Sequence, residues 1–217
     1  MYENIVIIGA GGHAKEIAFL IEDINSYEMT WNILGYIDRD TSNLGKNNGR
    51  YKIIGDERFF DDYKGELNAV VAIGDPTKLK EISSRIAFKY QNVKFPNLIH
   101  PSALGYIRDV KMKRGNIICA GNIFTTDINI GSYNCFNRGC NISHDVEIGD
   151  CCVINPGVNI SGGIKIGSGC LIGTGATILQ YLNIGENSTI GAGAVVVKDV
   201  KPSDTVVGIP ASSILKH

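Results

Sequence analysis

The four histidines, His13, His100, His144 and His217, are the side chains best suited to acid and base chemistry near neutral pH. His144 differs from the others because an acidic residue, Asp145, follows it directly in the stretch NISHDVEIG. A histidine can take a proton from an attacking amine or hydroxyl near neutral pH. An exposed turn pair without a chemical role is the alternative interpretation.

A glycine-rich turn near the N-terminus could bind a phosphate. The run GAGGHA, from Gly9 to Ala14, follows a predicted strand and opens a predicted helix, so its N–H groups could cradle an anion. NAD-binding domains share this pattern and need an acidic residue at the end of the second strand, a place that Asp38 could fill. The segment is short for a dinucleotide domain, which disfavours NAD. A plain βα turn is the other alternative.

The residues from Ile5 to about Leu98 alternate between strand and helix patterns. The predicted strands are IVIIG, ILGYID, KIIG and NAVVAIG, and the predicted helices cover about residues 14–24 and 77–90. Strands that alternate with helices form parallel βαβ units. We therefore predict a small Rossmann-like α/β domain over residues 1–98.

A six-residue repeat fills most of the remaining chain, from about residue 103 to residue 211. Large apolar residues recur at every sixth position: Tyr106, Met112, Ile118, Phe124, Ile130, Phe136, Ile142, Ile148, Ile154, Ile160, Ile166, Ile172, Ile178, Ile184, Ile190 and Val196. Mostly small residues recur four positions later, among them Val110, Ile128, Asn134, Cys140, Val146, Cys152, Val158, Ile164, Cys170, Ala176, Leu182, Ser188 and Ala194. This pattern describes a triangular prism with three short strands and about 18 residues per coil, in which coils stack about 4.8 Å apart. We predict a parallel β-helix over residues 99–217.

Glycines and cysteines have regular places in this repeat. Glycine often follows the large residue directly, where we expect it to relax the backbone at a tight corner: Gly131, Gly149, Gly167, Gly173, Gly185 and Gly191. Cys140, Cys152 and Cys170 fall in the small inward register and are predicted to be core. The other cysteines, Cys119, Cys135 and Cys151, lie outside it, and the sequence suggests no function for them. No CxxC pair or His/Cys grouping predicts a metal site.

Composition excludes several classes of function. The net charge of -1 and the scattered Lys and Arg residues argue against nucleic acid as a partner. No stretch approaches the roughly 18 apolar residues of a spanning helix, and MYENIVIIGAGG reads as a strand and turn rather than a cleavable leader. We therefore expect a cytoplasmic protein whose cysteines remain thiols.

The repeat run IGSYNCFNRGCNISHDVEIGDCCVINPGVNISGGIKIGSGCLIGTGATI and the closing VVGIPA resemble the hexapeptide-repeat acyltransferases. With IVIIGAGGHAKEIA, LGYID and VVAIGDPTKL, almost the whole chain resembles the bacterial family named for sialic acid O-acetyltransferases. That family includes the N-acetyltransferases of nucleotide-linked 4-amino-sugars. The resemblance implies a left-handed β-helix, acetyl-CoA as co-substrate, and a homotrimer with active sites between subunits.

The same resemblance implies roles for residues of the β-helix. His144 would be the base, and Asp145 would raise its basicity. Because a coil takes about 18 residues, the chain passes directly above His144 at Gly162, although a simple corner is equally compatible with the SGG sequence there. In the family, the N–H at this glycine would hold the thioester carbonyl oxygen. Thr174 and Ala192 would contact coenzyme A.

The resemblance assigns the N-terminal turn to the nucleotide-sugar. The implied pocket residues are Gly11, Gly12, His13, Asp38, Arg39, Val71 and Gly74. Arg39 is a departure, because relatives often carry an acidic residue there. Val153 is another, since several relatives have a second histidine near the coenzyme at that point.

The expected reaction is N-acetylation of the 4-amine of a nucleotide-linked amino-sugar for a surface glycan, with no metal. Nothing in the repeat distinguishes an amine from a hydroxyl acceptor. O-acetylation of a sialic-acid-like sugar is therefore one alternative. A non-catalytic β-helix that serves as a binding or assembly module is another, and the His144 and Asp145 pair argues against it.

Overall fold

The computed structural model describes residues 2–105 and 110–214. The chain divides into two compact units. One consists of the chain up to Gly74 together with Glu81–Pro96, and the other of Asp75–Lys80 together with the chain from Asn97 onward. Tyr106, the first residue of the predicted six-residue register, lies outside the described residues, as does His217.

The N-terminal region has the predicted Rossmann-like α/β architecture. Its elements are β1 (Glu3–Ile8), α1 (Gly12–Tyr27), β2 (Trp31–Ile37), β3 (Asn47–Asn48), β4 (Tyr51–Gly55), α2 (Phe59–Asp62), β5 (Leu67–Val71), α3 (Pro76–Lys89) and β6 (Val93–Lys94). The strands form one sheet in the order β3-β4-β2-β1-β5-β6, in which β3 runs antiparallel to β4 and the other neighbours are parallel. The predicted helices exist, and α1 extends beyond its predicted bounds at both ends.

Apolar patterning explains these elements. The central strand β1 carries Ile5, Val6 and Ile7 fully buried, as expected for a parallel strand covered on both faces. Helix α1 buries a single stripe of residues at helical spacing: Ala14, Ile17, Ala18, Leu20 and Ile21. Such a stripe packs a helix onto a sheet and leaves its other face to solvent.

The C-terminal region is a left-handed parallel β-helix of short strands. These are β7 (Leu98–Ile99), β8 (Leu104–Gly105), β9 (Lys111–Met112), β10 (Ile117–Ile118), β11 (Ile123–Phe124), β12 (Asn129–Ile130), β13 (Cys135–Phe136), β14 (Asn141–Ile142), β15 (Glu147–Ile148), β16 (Val153–Ile154), β17 (Asn159–Ile160), β18 (Lys165–Ile166), β19 (Leu171–Ile172), β20 (Thr177–Ile178), β21 (Asn183–Ile184), β22 (Thr189–Ile190), β23 (Val195–Val196), β24 (Thr205–Val207) and β25 (Ser212–Ser213).

From β7 to β23 every third strand joins the same sheet, so three sheets form the faces of the prism, and β24 and the antiparallel β25 extend one of them. Sheet I has the order β25-β24-β22-β19-β16-β13-β10-β7, sheet II the order β23-β20-β17-β14-β11-β8, and sheet III the order β21-β18-β15-β12-β9. Edge I–II comprises the turns from sheet I to sheet II, at residues 119–122, 137–140, 155–158, 173–176 and 191–194. Edge II–III comprises those at residues 125–128, 143–146, 161–164, 179–182 and 197–199.

The two predicted registers form the interior of this prism. Strand partners lie one coil apart, as in the column Ile118, Phe136 and Ile154, and these side chains are fully buried. Almost all other described members of both registers are buried as well, with Met112 and Leu182 only partly so. Each coil therefore adds its aliphatic side chains to one continuous apolar column.

The expected reason for the glycines that follow the large residues is wrong. Their backbone is not left-handed; that conformation occurs two residues further along each turn, as at Gly169 (φ 73°) after Gly167 and Cys151 (φ 58°) after Gly149. These glycines are needed because the next coil is close. A Cβ on Gly149 would lie 2.6 Å from Ser168 Oγ, and one on Gly173 would lie 2.5 Å from Ala192 N.

All six cysteines are buried free thiols. Cys140, Cys152 and Cys170 lie in the apolar column, which confirms the structural interpretation of this register. Burial raises the pKa of the Cys140 thiol. Elsewhere, no helix in the described part of the chain is both long and apolar enough to cross a bilayer.

Candidate active site

The side chains of His144 and Asp145 are within hydrogen-bond distance of each other on edge II–III. His144 Nδ1 lies 2.7 Å from Asp145 Oδ2, and the two side chains are 52% and 64% exposed. Asp145 occupies the left-handed position of the turn, which aspartate tolerates better than most residues. With its Nδ1–H donated to the carboxylate, a neutral His144 keeps the lone pair of Nε2 for a proton. The pair can therefore act as a general base at the surface of the coil.

Gly162 lies against the His144 ring on the next coil. A Cβ added to Gly162 would fall 2.5 Å from both Nε2 and Cε1 of that ring. The backbone ladder fixes this arrangement, because the N–H of Gly163 donates to the His144 carbonyl at 2.9 Å. Among hydrogen bonds within the described residues, none uses the N–H of Gly162. It can therefore donate to an oxygen that approaches the base.

Thr174 and Ala192 lie one above the other on a different edge of the prism. Both are exposed on edge I–II, and the N–H of Gly193 donates to the Thr174 carbonyl at 2.8 Å. Within one chain, sheet II separates this edge from His144. Val153 points outward from sheet I and is buried. The structure thus places Gly162 against His144, and Ala192 beside Thr174. It puts these two groups on different edges of the prism.

The glycine-rich turn opens α1 as the sequence indicates. Gly11 is the N-cap of α1 and has no side chain to cap it. The first-turn N–H groups of a helix lack intrahelical acceptors and attract anions. A Cβ on Gly11 or Gly12 would meet nothing within 4 Å, so the surface over this turn is open. His13 follows at the start of the helix, with Nδ1 3.4 Å from Glu16 Oε2.

Asp38 holds this turn in place. Its carboxylate accepts hydrogen bonds from the N–H of Ala10 at 2.7 Å and from the N–H of Asp40 at 2.9 Å. Arg39, between these acidic residues, is exposed. Hydrogen bonds from Ser42 lower the pKa of the exposed Asp40 carboxyl. Asp38 therefore has a structural role that the sequence did not reveal, since a strand-end acid signals ligand binding and turn support equally well.

The remaining predicted pocket residues share the same edge of the sheet. Strands β1, β2 and β5 are parallel neighbours, so their carboxyl ends, which precede the glycine turn, Asp38 and Gly74, lie side by side. Ligands of open α/β sheets bind at such an edge. Val71 is buried, whereas Gly74 is exposed and faces open space. Of these two residues, only Gly74 offers surface to a ligand.

Comparisons with known proteins agree with both halves of this architecture. A family model described as "PglD N-terminal domain" matches residues 4–86, and one described as "Bacterial transferase hexapeptide (six repeats)" matches residues 145–180. PerB from Caulobacter crescentus, solved with CoA and GDP-perosamine, is 29% identical with a TM-score of 0.84 over 98% of both chains.

Two further structures match the whole chain. The acetyltransferase domain of PglB from Neisseria gonorrhoeae, solved with acetyl coenzyme A, is 28% identical with a TM-score of 0.85 over 99% of this chain and 100% of its own. A variant of perosamine N-acetyltransferase from Caulobacter crescentus, with CoA and GDP-perosamine, is 27% identical with a TM-score of 0.86 over 100% and 99%. No curated protein sequence matches significantly.

The chain is a hexapeptide-repeat acyltransferase. In this acyltransferase the surface carries one histidine and carboxylate pair on the coils, at His144 and Asp145, within the described residues. No group of three or more His, Cys, Asp or Glu side chains in residues 2–105 and 110–214 is arranged to hold a metal ion.

Tyr181, two coils beyond Asp145 on the same edge, was not among the predicted site residues, because nothing in its local sequence marks it.

Proposed function

We propose that this acyltransferase transfers the acetyl group of acetyl-CoA to the 4-amine of a nucleotide-linked amino-sugar, and that the product enters a surface glycan. The proposal rests on two contacts of the His144 ring. Its Nδ1 lies 2.7 Å from Asp145 Oδ2, and the ring lies against Gly162. The matched relatives support the substrate class, since their structures contain CoA with GDP-perosamine, or acetyl coenzyme A.

The residues of the pair suggest the order of bond changes. The amine nitrogen attacks the thioester carbonyl carbon, and Nε2 of His144 takes the proton that the nitrogen loses. The N–H of Gly162 donates to the oxygen that becomes negative in the tetrahedral intermediate. The C–S bond then breaks, and the protonated imidazole returns the proton to the sulfur of coenzyme A. Asp145 holds the ring and stabilises its charged form.

A homotrimer would complete the coenzyme site. Sheet II is bounded by edge I–II, which carries Thr174 and Ala192, and by edge II–III, which carries His144. Three prisms packed about an axis with sheet II inward would place edge II–III of one copy beside edge I–II of the next. Exposed apolar residues on that sheet, Leu104 at 59% and Ile123 at 39%, favour such packing. Coenzyme A would then lie between neighbouring subunits.

The N-terminal unit would hold the nucleotide. The start of α1, at Gly11 to His13, suits a diphosphate because it has no side-chain cap, its first N–H groups lack intrahelical acceptors, and the helix dipole favours negative charge. Arg39 adds an exposed positive charge after β2, and Gly74 leaves open space after β5. The carboxylate of Asp38 keeps the turn in the shape that this binding needs.

A thiol-release assay tests the proposal. Acetyl-CoA is offered with UDP-, GDP- and dTDP-linked 4-amino-sugars and with free sialic acids, and mass spectrometry locates the acetyl group. We expect N-acetylation of a nucleotide-linked sugar and a loss of at least about 100-fold in kcat for His144→Ala. Transfer only to a sialic acid hydroxyl would replace the substrate assignment, and a fully active His144→Ala would refute the base.

Sedimentation tests the assembly separately. The proposal predicts a trimer at micromolar concentration, and a monomer there would contradict it. Replacing Ile123 by Lys, which places a charge on sheet II, should dissociate the trimer. Activity should be lost with it, because the proposed coenzyme site needs edge II–III of one subunit and edge I–II of the next.

A further inference from the structure

Tyr181 has an unusual backbone for an exposed aromatic residue. Its φ is 61°, in the left-handed region that bulky side chains rarely adopt. Its side chain is nevertheless 72% exposed, so the fold of the single chain gains little from the ring. Glycine occupies the equivalent turn position in the preceding coil, at Gly163, without this cost.

Tyr133 shows what normally offsets such a conformation. It has nearly the same φ, 59°, but only 8% of it is exposed. Its ring lies 5.8 Å from the Arg114 guanidinium, measured to the ring centre. Burial and this contact stabilise Tyr133 within the chain. Tyr181 lies against Gly163 but has no comparable burial, so most of its ring is open to a molecule that binds at this surface.

The position of Tyr181 relative to the base suggests what that is. A Cβ on Gly162 would strike the His144 ring, and a Cβ on Gly163 would strike the Tyr181 ring. The two rings therefore lie against two consecutive glycines, on opposite sides along the coil axis. The two rings thus cover neighbouring residues of one coil, Gly162 and Gly163, so a group that reaches the His144 ring passes close to the Tyr181 ring.

We infer that Tyr181 is an acceptor-binding residue. Its exposed ring would pack against the apolar face of the sugar that carries the amine, with the amine directed to Nε2 of His144. Packing of this kind removes apolar surface from water and needs no specific polar partner. The side chain would set the orientation of the sugar. This inference rests on the proposed function.

The experiment compares three variants in steady-state kinetics with acetyl-CoA and the amino-sugar acceptor. Tyr181→Gly removes the ring and suits a positive φ, so the turn should stay intact. Tyr181→Phe keeps the ring. Asn187→Gly is the matched control, because Asn187 also has a positive φ (58°) and also lies over a glycine, Gly169, but on the edge from sheet III to sheet I.

We expect Tyr181→Gly to raise the acceptor KM about tenfold, equivalent to about 1.4 kcal/mol, while the KM for acetyl-CoA and the sedimentation coefficient stay unchanged. Tyr181→Phe and Asn187→Gly should behave like the parent. A parental acceptor KM in Tyr181→Gly, an effect on acetyl-CoA alone, or dissociation of the assembly would each overturn the inference. If the parent acetylates no nucleotide-linked amino-sugar, the proposed function itself fails, a distinct outcome.

Discussion

Gly162→Ala adds one methyl group against the imidazole of His144, the proposed base. The new Cβ would lie 2.5 Å from Nε2 and Cε1 of His144, and 3.0 Å from Nδ1, whereas ordinary contacts begin at 3.4 Å. The main chain of Gly162 is part of the coil ladder and cannot move easily. The ring is half exposed and can move. We therefore expect the imidazole to give way.

The size of the effect follows from that displacement. Moving a catalytic group by about 1 Å can cost roughly 100-fold in rate, which corresponds to about 2.7 kcal/mol of activation free energy. Stability should not fall in parallel, because Gly162 does not have a left-handed backbone. Replacing such a glycine by alanine commonly stabilises a protein by about 0.4–1 kcal/mol. The variant should thus be folded but slow.

Two measurements on the same preparation separate these effects. Thiol release at saturating acetyl-CoA and acceptor gives kcat, and denaturant unfolding gives the free energy of unfolding. Gln180→Ala is the matched control, because Gln180 is exposed at the equivalent place one coil further along and its truncation leaves His144 untouched. This control should match the parent in both measurements.

Either of two results would refute the reasoning. A kcat within about twofold of the parent would mean that the ring position set by Gly162 does not matter to the reaction. A loss of several kcal/mol in the free energy of unfolding would mean that the coil, and not the ring, absorbs the clash. In both cases the assignment of Gly162 and His144 as one catalytic unit would fail.

Three further predictions concern the pair, the core and the thiols. Asp145→Asn keeps a residue that tolerates a φ of 57° but loses the charged acceptor for Nδ1, so kcat should fall by about tenfold or more, and parental kinetics would contradict this. Ile172→Ala truncates a fully buried side chain and should cost about 2–5 kcal/mol in urea unfolding, against less than about 0.5 kcal/mol for the exposed Lys165→Ala. Because burial raises the pKa of the Cys140 thiol, it stays protonated where a free thiol begins to ionise. All six thiols are buried, so the folded protein should shield them from Ellman's reagent at pH 8 until urea is added, and rapid labelling of the native protein would disprove their core placement.

Much of the β-helix could be predicted because its rule is local and periodic. Large side chains at every sixth residue must point inward, as the burial of Ile154 and Ile172 shows. The same count places residues one coil apart in contact, so that Gly162 lies against His144. In the N-terminal unit, alternating apolar runs and a glycine turn were enough to place β1, α1 and β2. None of these features depends on distant parts of the chain.

Other features needed the tertiary structure, because they depend on how the coil closes in three dimensions. The six-residue count already assigns Thr174 and His144 to different edges, but only the closed prism shows that both remain exposed there, with sheet II between them. The sequence predicted glycines at these turns but attributed them to backbone conformation. The actual reason is the close approach of the next coil, as at Gly149, which can be seen only when the coils are stacked. Tyr181 is similar, because the count places it on the edge of His144 but only the structure shows its exposed ring against Gly163. The sequence by itself thus determined the inward register and the His144 and Asp145 pair, and the stacking of the coils decided which groups share a surface with them.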